Sequence, residues 1–373
     1  MKIEEFEMER LQSTWENRVK YNLSESGVHP LLLKELTNKD ELEELISLRL
    51  GYSQTNGTIE LRGAISQLYP GSDIDNILVT NGSSEANFIS IWTNLKAGEE
   101  LILMLPNYMQ IWGLARSLGA KVKPFYLKEE LNWAPDLEEL KKIVSPNTKM
   151  IAVCDPNNPT GAVLSEKSIK GIVKVADRVG AWILSDEVYR GAELNGKETP
   201  GFWGKYEKVI VNGGLSKAYA LPGLRIGWMV GPKKIIAESW SRHDYSTIAP
   251  GIINDYLASL ALKPEMRQKI LSRNRKILNT NLALVKKWLS NHADLFKLIS
   301  PQAGAIAFIR YNLDINSTQL IIKLLHEKSV LIVPGDCFGM DHFIRLGYGA
   351  EKDYLLAGLD LIDETLKEIQ SKG

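Results

Sequence analysis

The chain is predicted to fold as an α/β protein, with a mostly parallel central sheet covered by helices on both faces and a smaller α+β domain after it. Three observations predict this. From about Thr80 to Val230, short apolar runs alternate with segments of helical period, the pattern of buried parallel strands joined by crossover helices. Beyond Pro250 the alternation stops, and a long helical stretch gives way to isolated short strands. A length of 373 residues, with 44% hydrophobic and 24% charged side chains, suffices for one large core and a second, smaller one.

The elements follow in chain order. The acidic N-terminus, Met1-Lys2-Ile3-Glu4-Glu5-Phe6-Glu7, lacks a long apolar core, so neither a signal peptide nor a transit peptide is expected. A helical pattern around residues 31–50 is expected to pack beside the small domain. The apolar run 77–79 ends in Thr80-Asn81-Gly82-Ser83-Ser84-Glu85-Ala86, a small-residue turn that opens a helix. Strand runs at 101–105 and 150–154 are followed by helices at 110–118 and 166–179, and further strand runs lie at 182–184 and 208–212. In the last third, a helix is expected over 265–292, strands over 305–309 and 330–333, and a closing helix over 353–370. The large domain is placed at 46–261, and the small domain at 1–45 with 262–373.

Lys+Arg and Asp+Glu both count 45, so no net field favours nucleic acid or an anionic membrane surface. No apolar run approaches membrane-spanning length. A small-molecule partner is therefore expected. Cys154 and Cys337, each inside an apolar strand pattern, are expected as reduced thiols of a cytoplasmic protein without a disulfide.

The most informative run is Gly214-Leu215-Ser216-Lys217-Ala218-Tyr219-Ala220-Leu221-Pro222-Gly223-Leu224-Arg225-Ile226-Gly227-Trp228. Burial and a nearby fixed cation both lower an amine's pKa, so Lys217 reads as a nucleophile able to form a Schiff base. The aldehyde suggested is pyridoxal phosphate, its phosphate held by the Ser216 hydroxyl and the Arg225 guanidinium fork. A glycine-rich turn with an incidental lysine would read the same way.

Ligands of an open parallel sheet bind outside the carboxyl ends of its strands. There Gly82, Ser83 and Ser84 form an anion site or an ordinary serine cap. Tyr108 follows the next strand, as a ring to stack on a pyridine or as simple packing. Asn158 stands in the turn Asp155-Pro156-Asn157-Asn158-Pro159-Thr160-Gly161. Asp186 ends a buried strand, where a carboxylate needs a cation or donor such as a pyridinium N–H, a helix cap or a structural ion pair being the plainer readings. Tyr189, just beyond it, would reach the ring's phenolic oxygen. Arg345, in a short apolar strand, needs a carboxylate, either a substrate's or a structural one.

Together these segments resemble the class I and II aminotransferases of pyridoxal-phosphate fold type I, over nearly the whole chain from about Asn22 to Leu366. The resemblance implies a seven-stranded-type, mostly parallel sheet sandwiched by helices, pyridoxal 5′-phosphate as cofactor, no metal, and transfer of an L-amino acid's amino group to a 2-oxo acid. It implies Lys217 as the Schiff-base lysine, Asp186 as partner of the pyridine nitrogen, and Tyr189 and Asn158 as contacts to the ring oxygen. Gly82, Ser83, Ser84, Ser216 and Arg225 become a phosphate cup, with Tyr108 stacked on the ring. Gly27, Asn158 and Arg345 face the substrate, Arg345 clamping its carboxylate. The run Gly51-Tyr52-Ser53-Gln54-Thr55-Asn56-Gly57 resembles an intersubunit element in which Tyr52 reaches the neighbouring subunit's phosphate, which implies a homodimer.

Asp155 stands where many relatives have Asn. Residues 22–30 and 243–248 resemble the branch of that family that contains capreomycidine synthase, a pyridoxal-phosphate enzyme that cyclises a hydroxylated arginine. That branch implies an alternative: a cyclase, lyase or oxidase acting on an arginine-like or other polar amino acid. Glu25, His29 and Asp244 would then read a polar or cationic side chain, or else serve as caps and surface residues.

Overall fold

The computed structural model describes residues 3–370. Its central sheet runs, edge to edge, Ile77–Thr80, Gly227–Val230, Val209–Gly214, Trp182–Asp186, Thr148–Cys154, Glu100–Leu105, Lys121–Lys128 and the two-residue strand Ala134–Pro135. Gly227–Val230 is antiparallel to both of its neighbours, Ala134–Pro135 is antiparallel to its one neighbour, and the remaining pairs are parallel. A seven-stranded, mostly parallel sheet is thus present, with one short strand added at its edge.

Apolar residues on both faces of each strand explain the double cover. Leu101, Leu103 and Leu105 pack with Ala86, Ile89, Ile111 and Ile236 in one core layer. Ile102 and Met104 join Ile151, Val153, Ile169 and Ile172 in the other. The helices facing these layers have local reasons to start and stop. Glu166–Val179 begins where the Ser165 side chain accepts the Ser168 N–H and ends at left-handed Gly180.

The smaller part is an antiparallel sheet ordered Phe296–Leu298, Ile306–Tyr311, Phe343–Gly347, Val333–Pro334. It is flanked by the helices Ser317–Lys328 and Lys352–Gln370, and the 27-residue helix Pro264–Ser290 precedes it. Tyr21–Asn22 pairs in parallel with Val330–Leu331.

Three expectations need correction. The helical pattern at 31–50 breaks into Leu33–Leu36 and Lys39–Ile46, because Asn38 caps the second helix in a capping box with Glu41. Cys337 lies in a half-buried 3₁₀ turn, Gly335–Phe338, not in a strand. The helix Glu7–Trp15 was not anticipated at all. Both cysteines are free, and among the described residues no helix is long and apolar enough to cross a membrane.

Candidate active site

The carboxyl ends of the central strands open into a cavity of about 350 Å³. One wall is the start of the helix Ser83–Asn94. Its N-cap, Gly82, has φ 87° and offers no side-chain cap, so the first-turn N–H groups have no side-chain acceptor there. A Cβ on Gly82 would stand 2.5 Å from Nη2 of Arg225, and one on Gly227 would stand 2.3 Å from the Ser83 nitrogen. Neither position tolerates a side chain without moving the cradle. Arg225 adopts left-handed backbone, φ 47°, and its Nη1 donates to the Pro222 carbonyl at 3.0 Å and to Ser216 Oγ at 3.4 Å. Helix amides, hydroxyls and a guanidinium thus surround one space, as an anion requires.

Behind this wall Glu85 ties the helix to the loop after the helix Lys233–His243. Its carboxylate accepts from the Asn81 N–H at 2.6 Å, from Ser246 Oγ at 2.6 Å and from Thr247 Oγ1 at 2.8 Å, and His243 Nε2 lies 3.4 Å away. Burial opposes its charge, but these donors outweigh burial and hold the carboxyl down at about 2. Such a group binds fewer protons folded than unfolded. Its stabilisation is therefore present above the ordinary glutamate range and is lost as pH falls through about 2. Glu85→Gln is expected to be less stable than the parent at neutral pH, with the gap closing on acidification. Denaturant titrations across that range check it, and a gap independent of pH would contradict it.

Lys217 stands just beyond the strand Val209–Gly214 and is, among the described residues, the one lysine lining the cavity. Its Nζ meets Glu25 Oε1 at 2.7 Å. The sequence led us to expect a depressed amine pKa; the structure reverses that expectation. Burial lowers the pKa, but the Glu25 carboxylate and the Tyr189 phenol outweigh burial and raise it. Glu25 is correspondingly lowered to about 2, chiefly by Lys217. Arg225, the cation expected to act on Lys217, is engaged at the cup instead.

Asp186 closes the strand Trp182–Asp186 and is 4% exposed. Its oxygens accept the Val188 N–H at 3.1 Å and Asn87 Nδ2 at 2.9 Å, and Asn212 in turn holds Asn87 at 2.8 Å. Burial raises its pKa, and no cation pairs with it among the described residues. A buried acid lacking a counter-charge, aimed into the same cavity as a lysine and an anion cradle, fits a ring nitrogen that carries a proton. Together the three features fit pyridoxal phosphate: cradle for phosphate, acid for ring nitrogen, amine for aldehyde.

The rest of the predicted set also converges. Tyr189 Oη donates to Ser26 Oγ at 2.9 Å. Asn158 Oδ1 accepts from Arg345 Nη1 at 3.0 Å. Arg345, 1% exposed, also donates to the Ser24 carbonyl at 2.7 Å, while its Nε is buried without a partner. A Cβ on Gly27 would sit 3.7 Å from Lys217 Cδ, so this backbone runs alongside the amine's stem. Tyr108 lines the cavity and its hydroxyl donates to Glu9 at 2.8 Å.

Three named residues lie elsewhere. His29 Nδ1 is 3.1 Å from Arg273, away from the cavity, and Asp244 is exposed beyond a helix end. Tyr52 is 88% exposed and does not line its own chain's cavity. Asp155 is deeply buried, accepts the Leu164 N–H at 2.9 Å, and is pushed well up by burial, so it acts behind the site. Sequence reasoning missed Asn87 and the residues of the first helix, Met8, Glu9 and Gln12, with Glu16 just after it, all of which line the cavity. Gln12 lies four after Met8 and three after Glu9, and Glu16 lies four after Gln12; that helical spacing was the available signal.

Residues 22–359 match the family model described as "Aminotransferase class I and II". The chain is 29% identical to capreomycidine synthase of Streptomyces vinaceus over 94% of its own length and 90% of that protein. It is 30% identical to an aspartate aminotransferase of Pyrococcus horikoshii, over 85% and 83% of the two chains. A crystal structure of a pyridoxal-phosphate-dependent aminotransferase from Streptococcus suis superposes with a TM-score of 0.93 at 35% identity, covering 99% of both chains.

Proposed function

This chain belongs to the class I and II aminotransferases and is a pyridoxal-phosphate-dependent enzyme, and from that premise we propose how its residues divide the transfer of an L-amino acid's amino group to a 2-oxo acid. Lys217 Nζ holds the cofactor's aldehyde carbon. Asp186 accepts a hydrogen bond from the ring nitrogen, Tyr189 and Asn158 face the ring oxygen, and Tyr108 lies against the ring. Gly82, Ser83, Ser84, Ser216 and Arg225 hold the phosphate. Bound there, the cofactor supplies an electron sink for the pair left at the substrate α-carbon. Arg345 binds the substrate carboxylate with Gly27 and Asn158 beside it, which fixes the α-carbon near Lys217. Freed from the cofactor when the substrate amine takes its place, Lys217 Nζ would take the α-proton and deliver it to the cofactor's former aldehyde carbon, so one residue both holds the cofactor and moves the proton.

The observation that carries this reading is Asp186, a buried acid that pairs with no cation among the described residues, sharing a cavity with Lys217. The test is a screen of amino donors with 2-oxoglutarate and pyruvate, with products read by mass spectrometry. A 2-oxo acid formed only when an acceptor is present is expected. A cyclised or eliminated product formed without an acceptor would instead support the alternative reading as a cyclase, lyase or oxidase, which the similarity to capreomycidine synthase favours.

We assign residues 46–261 to a cofactor-binding domain and 1–45 with 262–373 to a small domain, in a cytoplasmic homodimer. Tyr52 supports the dimer: it is largely exposed, and Leu50, Ile59, Tyr245 and Ile253 are exposed apolar residues as well. In a two-fold pair Tyr52 would complete the partner's phosphate cup.

A further inference from the structure

We propose that Asn87 is a positioning residue for Asp186: its amide, held by Asn212 and Gln110, offers the acid a hydrogen-bond donor alone, and so keeps the cofactor's ring proton on the nitrogen and off Asp186. This rests on the reading of Asp186 as the ring nitrogen's partner and adds what holds that pair in its charged form. Among the described residues Asn87 is the one side chain that hydrogen-bonds Asp186, Nδ2 to Oδ2 at 2.9 Å; the acid's other donor is the backbone N–H of Val188 at 3.1 Å.

The Asn87 amide is not free to turn over. Its Nδ2 also donates to Gln110 Oε1 at 3.2 Å, and its Oδ1 accepts from Asn212 Nδ2 at 2.8 Å. Asn212 is fixed in turn by Ser90, whose Oγ lies 3.0 Å from its Nδ2 and 3.2 Å from its Oδ1. Reversing Asn87 would set its oxygen against the Asp186 carboxylate and its NH₂ against that of Asn212. Gln110 Nε2 donates to the Ser84 carbonyl at 2.9 Å, so the same line of bonds ties the acid to the phosphate cup.

The network is placed by the fold. Ser84, Asn87 and Ser90 recur three apart, on one face of the helix Ser83–Asn94, and Asn212 is the register partner of Asp186 on the neighbouring strand. These side chains are buried beside a core layer of Ala86, Ile89, Leu184 and Ile210, where polar groups cost free energy unless each finds a partner. One proton lies between the ring nitrogen and Asp186. On the nitrogen it gives a pyridinium and a carboxylate, and on the Asp186 oxygen a neutral ring and a neutral acid. Burial favours the neutral pair, and a donor to the carboxylate favours the charged one. Burial raises the pKa of Asp186, and Asn87, followed by Val188, opposes that rise. The protonated ring is the stronger electron sink.

The test loads the parent, Asn87→Leu and Asn87→Met with pyridoxal phosphate carrying ¹⁵N in its ring, and reads the ring nitrogen's NMR shift at neutral pH. Both substitutions fill the space of the amide and remove its donor, and their different shapes guard against one that fails to fold. The parent is expected to give the signal of a protonated pyridine. The variants are expected to move toward the unprotonated position, with kcat lower by roughly 10-fold or more, the scale of one hydrogen bond to a charged group. KM for the amino donor should change little, because Arg345 is untouched. A ring signal that stays protonated in either folded variant overturns the proposal even if activity falls, since an asparagine that served packing alone would not move the proton. An unprotonated ring in the parent overturns the role of Asp186 and the proposal with it. Protein that takes up no cofactor overturns the reading of the cavity itself.

Discussion

Lys217→Ala is expected to abolish turnover and to remove the visible absorbance of lysine-linked cofactor. The loss of proton transfer alone accounts for a fall of roughly 10²–10⁴-fold, and the loss of covalent attachment adds to it. No neighbour compensates, because among the described residues Lys217 is the one lysine of the cavity lining. The phosphate cup is untouched by this change, so the variant should still bind the cofactor weakly and without its shifted spectrum. Rates and absorbance spectra of parent and variant check it. Turnover within tenfold of the parent would contradict the role given to this residue.

Asp186→Asn separates electronic from structural roles. The carboxylate accepts two hydrogen bonds, from Val188 N–H and Asn87 Nδ2, and Asn212 fixes the orientation of Asn87. An amide satisfies only one of the two well, a loss of about 1 kcal/mol. Removing a buried acid whose pKa burial has raised offsets part of that loss. Stability of the cofactor-free protein should therefore change little, and Lys217 and the cup should still hold the cofactor. Activity should nonetheless fall by roughly 10²–10³-fold, the cost of removing one preorganised partner of developing charge. Thermal denaturation of the cofactor-free protein, with initial rates of the loaded enzyme, checks both halves. Nearly full activity, or a protein that fails to fold, would show Asp186 to be structural.

Much of the cavity was legible in the sequence because each part is local. A small-residue turn after an apolar strand, as in Asn81-Gly82-Ser83-Ser84, or a carboxylate at the strand end in Ser185-Asp186-Glu187, carries its reason in neighbouring residues. The parallel sheet was legible for the same reason, since strands buried on both faces read as continuous apolar runs. What escaped depends on pairing across long separations. Glu25 meets Lys217 and Met8 meets Arg345 only once the two parts of the chain dock, and that docking reverses the expected shift of the lysine. The first helix escaped because its inward stripe mixes Met8 with Glu9, Gln12 and Glu16, and so reads as a solvated face. His29 and Asp244 were singled out from the same kind of local segment as Glu25. Nothing in their neighbours tells which of the three turns toward the cavity.

The most direct test of the account is where the cofactor attaches. Protein incubated with pyridoxal phosphate is reduced with borohydride, digested and mapped by mass spectrometry. A single adduct on the peptide containing Lys217, absent from Lys217→Ala, is the expected result. An adduct spread over surface lysines with Lys217 unlabelled, or no adduct at all, would contradict it.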